Sequence, residues 1–191
     1  MGPFNDDIKT LDMKTLFLLF AVSAGYLNSQ SSEEYVCLPC GQECDNKIYS
    51  KPGTCGSCGM ELVKKSTIKF KDIDLEEMCQ RIQDNPNIVL LDVRSPGEFD
   101  GSTRDVPSFG HFKNAININV RELEGRINEL SKYKNSEVIV YCSHSHRSPR
   151  ASYLLGTHGF VNVKNMRGGV STFSAPYNAN CLKKEFVAHA R

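Results

Sequence analysis

The chain's eight cysteines are the side chains with the most chemistry to offer, and their spacing divides them into two kinds. Five fall between Cys37 and Cys58, while Cys79, Cys142 and Cys181 stand apart. In the first group, two Cys-x2-Cys pairs, Cys37/Cys40 and Cys55/Cys58, are separated by 14 residues. Each such turn presents two sulfurs on one side, eased by the glycine that follows (Gly41, Gly59), so two turns supply four soft ligands for tetrahedral zinc. Cys44 is a possible fifth. A segment this short, with almost no core, needs metal or disulfides to fold. Disulfides are the alternative in an oxidising compartment. Two close Cys-x2-Cys turns with Gly and Pro nevertheless favour metal, and zinc, copper or another soft ion all fit.

Cys142 has different surroundings. The apolar run Val138-Ile139-Val140-Tyr141 leads straight into Cys142-Ser143-His144-Ser145-His146-Arg147-Ser148, after which a helix is expected. A thiol between a strand's carboxyl end and a helix N-terminus meets backbone donors and a dipole that favour thiolate. Arg147 adds a positive fork suited to an anion. A nucleophile in an anion cradle therefore explains the composition better than a structural thiol, with Ser143, His144, Ser145, His146 and Ser148 as candidate substrate contacts. His144 and His146 alternate, so at most one is expected to point inward, for proton transfer or anion binding.

The elements that must position these groups have an alternating pattern. Thr67–Phe70 reads as a strand, and Asp74 with Glu77 as the start of a helix. Leu75, Met78, Cys79 and Ile82 form that helix's apolar face, which makes Cys79 a core residue. Ile88–Leu91, Ala115–Ile118, Val138–Tyr141 and Val161–Val163 read as strands. Residues 121–133 and 148–157 read as helices. Strands alternating with helices predict an α/β fold, a mostly parallel sheet flanked by helices, with a small N-terminal Cys-rich ribbon. Ligands of such sheets sit beyond the strands' carboxyl ends, where Cys142 lies.

The formal charge is +1, which lacks the basic stripe that nucleic-acid binding requires. Met13-Lys14-Thr15, an apolar run from Leu16 to Val22 and a small-residue exit outline a secretory signal in 1–29, with Met13 the expected start. The run is too short to span a bilayer. Export to a periplasmic or secreted location is therefore expected, with membrane contact only through the signal. The remainder divides into a ribbon (35–63), an α/β domain (66–176) and a tail (177–191) of no assigned role, in which Cys181 is either free or bonded.

The segment from Tyr35 to Val63 resembles the small heavy-metal-binding domain attached to bacterial metal transporters, most specifically at Pro52-Gly53-Thr54-Cys55-Gly56-Ser57-Cys58-Gly59-Met60-Glu61-Leu62-Val63. Cys40 stands where that family commonly has His, and Cys44 is additional. The larger domain resembles the rhodaneses. The likeness is carried by Leu91-Asp92-Val93-Arg94 with Glu98-Phe99, by Gly110-His111 with Asn114-Ala115-Ile116-Asn117, by Val140-Tyr141-Cys142 through Arg147-Ser148, and by Gly168-Gly169. Ser145 replaces a common loop glycine, Phe173 stands where Trp is frequent, and 100–109 looks like an insertion. The resemblance implies that Cys142 carries a persulfide cradled by the amides of 143–147. It also implies that Asp92 and Arg94 support the loop, and that no cofactor is needed for sulfur transfer. The expected partners are a small sulfur anion such as thiosulfate and a thiol or cyanide acceptor. Related phosphatases have five residues between Cys and Arg, against four here, which favours sulfur transfer over phosphatase or arsenate-reductase chemistry. A metal-binding sulfur carrier with little turnover is the other alternative.

Overall fold

The computed structural model describes Gly2 and residues 33–174 and 185–189. Apart from Gly2, the segment 1–29 expected to be a signal, Cys181, most of the tail and the side chain of Phe173 lie outside the described residues. No helix among those described is long and apolar enough to cross a membrane.

Glu33–Arg191 forms one compact unit. It begins with a small antiparallel sheet in which β1 (Tyr35–Val36) lies between β2 (Ile48–Tyr49) and β3 (Val63–Lys64). Between β1 and β2 the chain makes a 3-10 turn at Glu43–Asn46. The main sheet follows. It uses β4 (Phe70–Ile73), β5 (Val89–Asp92), β7 (Ile116–Asn117), β8 (Glu137–Tyr141) and β9 (Asn162–Met166), all parallel, in the order β4-β9-β8-β5-β7. A separate antiparallel pair joins β6 (His111–Phe112) to β10 (Phe186–Val187).

The central strands are buried on both faces, which is why they read as unbroken apolar runs. Val138, Val140 and Cys142 point into one core layer with Leu91, Ala151, Leu155, Leu123 and Leu130. Ile139 and Tyr141 point into the other, with Leu90, Met78, Cys79 and Phe112. Helix α1 (Leu75–Asp84) covers the second face and α4 (Ser148–Thr157) the first. Two shorter helices, α2 (Pro96–Asp100) and α3 (Leu123–Arg126), lie between them in sequence.

Several boundaries differ from expectation for local reasons. The strand expected at Thr67–Phe70 begins at Phe70. Thr67 instead closes a 3-10 turn by donating to the Lys64 carbonyl at 2.6 Å and pairs with the Tyr153 hydroxyl at 3.0 Å. The helix expected over 121–133 is α3 followed by a 3-10 run at Ile127–Tyr133, with Gly125, a poor helix former, in the short α segment. Asp74 caps α1 by accepting from Glu77 N at 2.9 Å. The Glu77 carboxylate goes to Arg81, so the capping box is half formed. Cys79 is buried as expected, but it is disulfide-bonded rather than a free core thiol.

Leu38 has a consequence for the site. It sits between Cys37 and Cys40, is 4% exposed, and belongs to the same buried layer as Leu91, Val140 and Cys142. Met60 and Val63 pack against that layer too. The ribbon is thus docked on the larger domain by side chains next to its own cysteines, and burying a leucine in this way is worth about 1.5–3 kcal/mol.

Candidate active site and metal centre

Cys142 follows β8 directly and is 1% exposed, with its Sγ 3.4 Å from the Ser148 hydroxyl at the start of α4. Ser145 has φ +65°, the left-handed region in which glycine is unstrained. That accounts for a glycine being common at this place. Here the serine side chain offsets the strain, donating to the Met166 carbonyl (3.1 Å) and accepting from Gly168 N (2.8 Å). The next glycine holds the other side of the loop. Val170 N donates to the Cys142 carbonyl at 2.9 Å and Ser171 N to the Ser143 carbonyl at 3.0 Å. A side chain on Gly169 would overlap both carbonyls, so this approach requires glycine.

Arg147 is engaged inside the protein. Its two terminal nitrogens donate to the two Glu98 carboxylate oxygens at 2.6 and 2.7 Å, and one also donates to the Ser143 hydroxyl at 3.1 Å. Ser143 in turn donates to Glu98 at 2.9 Å. Glu98 belongs to α2, whose N-cap Ser95 forms a reciprocal capping box with it. Burial alone would raise the Glu98 pKa, but Arg147, the Ser95 amide and Ser143 outweigh it and hold the carboxyl down at about 2. Glu98 also raises the Arg147 pKa, so the fixed cation beside Cys142 persists at any ordinary pH. The Arg147 fork therefore braces the loop and supplies charge to it, its direct hydrogen bonds being spent on Glu98.

The expected loop contacts separate by direction. Ser143, Ser145 and Ser148 are buried, whereas His144 and His146 are both exposed, so neither imidazole points inward. His144 meets the edge of the Phe109 ring, with centroids 5.4 Å apart. Asp92 and Arg94 form a fully buried pair, as expected, with Nε–Oδ1 at 2.9 Å. Their support is less direct than expected. Arg94 donates to the Ser108 and Gly110 carbonyls at 2.5 and 2.7 Å, clamping Phe109, itself at φ +59°, which meets His144 of the loop, and its guanidinium lies over the Tyr141 ring just before Cys142. The segment 185–189 closes over the same place, where His189 pairs with His111 Nδ1 (3.1 Å) and Ser108 Oγ (3.0 Å).

In the ribbon, the sulfurs of Cys37, Cys40, Cys44 and Cys58 lie within 4.8 Å of one another. Cys37 and Cys58 are 3.1 Å apart and Cys40 and Cys44 3.6 Å. Zinc–sulfur bonds of about 2.3 Å in a tetrahedron require sulfurs about 3.8 Å apart, so the donor set fits a soft metal ion. Asp45 ties the Glu43–Asn46 turn to the first knuckle by accepting from Cys40 N (2.9 Å) and Gly41 N (2.8 Å), which brings Cys44 inward. Cys44 is thus a full member of the cluster. Cys55, expected as one of the four, lies beside it, 1% exposed, with its sulfur 3.9 Å from the Tyr49 hydroxyl. Burial raises the pKa of Cys37, Cys40 and Cys44, whereas amide donors from Cys58 and Ser57 pull Cys55 down to about 6.

Residues 74–176 match the family model of the rhodanese-like domain. The chain is a member of the rhodanese-like family. It is similar to a sulfurtransferase of Allochromatium vinosum, 29% identical over 99 residues that cover 52% of this chain and 83% of that one. It is also 29% identical over 102 residues to a tRNA uridine(34) hydroxylase of Aster yellows witches'-broom phytoplasma, covering 51% of this chain but only 30% of the relative. A rhodanese-related protein of Thermoplasma volcanium shares 26% identity at a TM-score of 0.45, over 55% of this chain and 90% of that one. The ribbon lies N-terminal to the matched span. In the sequence Glu98 stands out only as part of a rhodanese signature. Its role was encoded in Ser95-x-x-Glu98, a capping-box pattern that fixes the carboxylate.

Proposed function

We propose that the protein is a sulfurtransferase in which Cys142 carries sulfane sulfur between a small anionic donor and a thiophilic acceptor. The observation that supports this most is the placing of a single buried thiol between β8 and α4, beside a neutralised Glu98–Arg147 pair. The Cys142 thiolate attacks the outer sulfur of thiosulfate, the sulfur–sulfur bond breaks, and sulfite leaves with the bonding pair. The terminal sulfur of the resulting persulfide then passes to cyanide or a thiolate, which regenerates the Cys142 thiolate. The N-terminus of α4 stabilises negative charge in both steps, and the Glu98–Arg147 pair holds the loop in place around it. Because Glu98 cancels the formal charge of Arg147, the loop suits a sulfur atom better than a doubly charged phosphate. We place the reaction outside the cytoplasm on the strength of the N-terminal pattern, and assign zinc or another soft ion to the ribbon. The Cys142→Ser variant should lose all thiosulfate:cyanide turnover while keeping its metal. Retained turnover would overturn the reading.

A further inference from the structure

Five thiols are more than one tetrahedral ion uses. Cys37, Cys40, Cys44 and Cys55 are each no more than 3% exposed, and Cys58 is partly buried against them. Cys44 is fully buried, lies 3.6 Å from Cys40 and within 4.8 Å of Cys37 and Cys58, and packs in the same buried cluster as Cys55. Oxygens near the sulfurs are few. Asp45 accepts from the Cys40 and Gly41 amides and also from Cys40 Sγ at 3.3 Å, and the Tyr49 hydroxyl is 3.9 Å from Cys55. The remaining wall is apolar, made by Leu62, Tyr35 and the thioether-bearing Met60.

Such a pocket, with many sulfurs and one carboxylate nearby, disfavours hard cations, which require several oxygen ligands, and selects soft ones. A single zinc ion would leave one thiol buried against its coordination sphere. Two three-coordinate monovalent ions that share one bridging sulfur need five sulfurs. From this geometry we propose that the ribbon is a dinuclear copper(I)-type site, in which Cys44 is the bridging ligand and Cys37, Cys40, Cys55 and Cys58 are the terminal ones. The proposal rests on the reading that the ribbon binds metal at all. On loading, the thiols that still carry protons release them to solvent, the five thiolates share two copper(I) ions, and no electron is transferred because copper enters already reduced. The 3-10 turn at Glu43–Asn46, tied down by Asp45, is then the part of this chain that converts a four-thiol site into a five-thiol one.

The test is an anaerobic titration of the reduced full chain with copper(I), buffered by a chromophoric chelator and counted by native mass spectrometry. The expected result is two ions per chain with copper-thiolate luminescence, falling to one ion with the luminescence lost in Cys44→Ser. Cys55→Ser should also fall below two, and zinc should saturate at one ion in the unaltered chain. Saturation at one copper(I) in the unaltered chain would overturn the dinuclear site while leaving metal binding intact. So would two ions retained by Cys44→Ser. Neither copper nor zinc bound by the reduced chain would overturn both the proposal and the metal reading beneath it.

Discussion

The ribbon and the active loop use the same side chain in opposite settings. In the ribbon, five cysteines crowd together with few other polar partners, so the chemistry available to each sulfur is set by the other sulfurs. In the loop, Cys142 has no cysteine partner among the described residues, and it sits among serine hydroxyls, a fixed cation and a helix N-terminus. Crowded thiols are relieved by a cation. A solitary thiol among donors is poised to act as a nucleophile. The two settings also differ in how they are built. The ribbon's cysteines lie within 22 residues of sequence, from Cys37 to Cys58, whereas the loop depends on Glu98, Arg94 and Gly169 from separate elements.

The contrast can be broken at four points. Cys142→Ser should have the largest effect, complete loss of sulfur transfer with unchanged metal content by elemental analysis. A parallel loss of metal would mean that the two sulfur sites are not independent.

Glu98→Gln should come next. It leaves the Arg147 cation half-buried without its counter-charge, which costs about 3–5 kcal/mol. Urea unfolding would read this, together with a drop in turnover. The pH dependence has a definite sign. Because the Glu98 carboxyl is depressed to about 2 in the folded state, its stabilisation is fully present above its ordinary value of 4.5 and is lost as pH falls through about 2. Stability of the native chain should therefore fall across that window, and the slope should be shallower in Glu98→Gln.

Leu38→Ala tests the joint between the two regions. It should destabilise the chain by about 2–4 kcal/mol through the cavity it leaves in the layer that contains Cys142. Metal stabilises whatever fold it binds, so chelation should lower the melting temperature of the native chain as one cooperative transition. In Leu38→Ala the transition should begin to separate into two. A chelation response unaffected by the variant would show that the ribbon is mechanically separate.

His144→Ala should have the smallest effect, about threefold or less on kcat/KM, because the ring is exposed and touches only Phe109 among the described aromatic neighbours. A hundredfold loss would restore a proton-transfer role for it.

How much of this could be read in advance follows from the same contrast. The parallel sheet was legible because its central strands are buried on both faces and its helices have clear caps. The Cys142 loop was legible because a strand end, a thiol and a helix start are adjacent in sequence. Glu98 as the partner of Arg147 was not, since their 49-residue separation is bridged only by the folded α2. The outward turn of both histidines was equally hidden. It follows from the left-handed Ser145, whose side chain is drawn inward by Met166 and Gly168. Cys44 was visible as a surplus thiol, but its place in the cluster depends on the Asp45 tie, which sequence spacing does not reveal.

Everything proposed for the loop depends on Cys142 Sγ bearing the transferred sulfur. Mass spectrometry of the reduced, folded chain after brief exposure to thiosulfate tests it most directly. One added sulfur on the peptide containing Cys142, removed by cyanide and absent from the ribbon peptides, is the predicted result. An unmodified Cys142 peptide, or sulfur found only on the ribbon, would contradict the account.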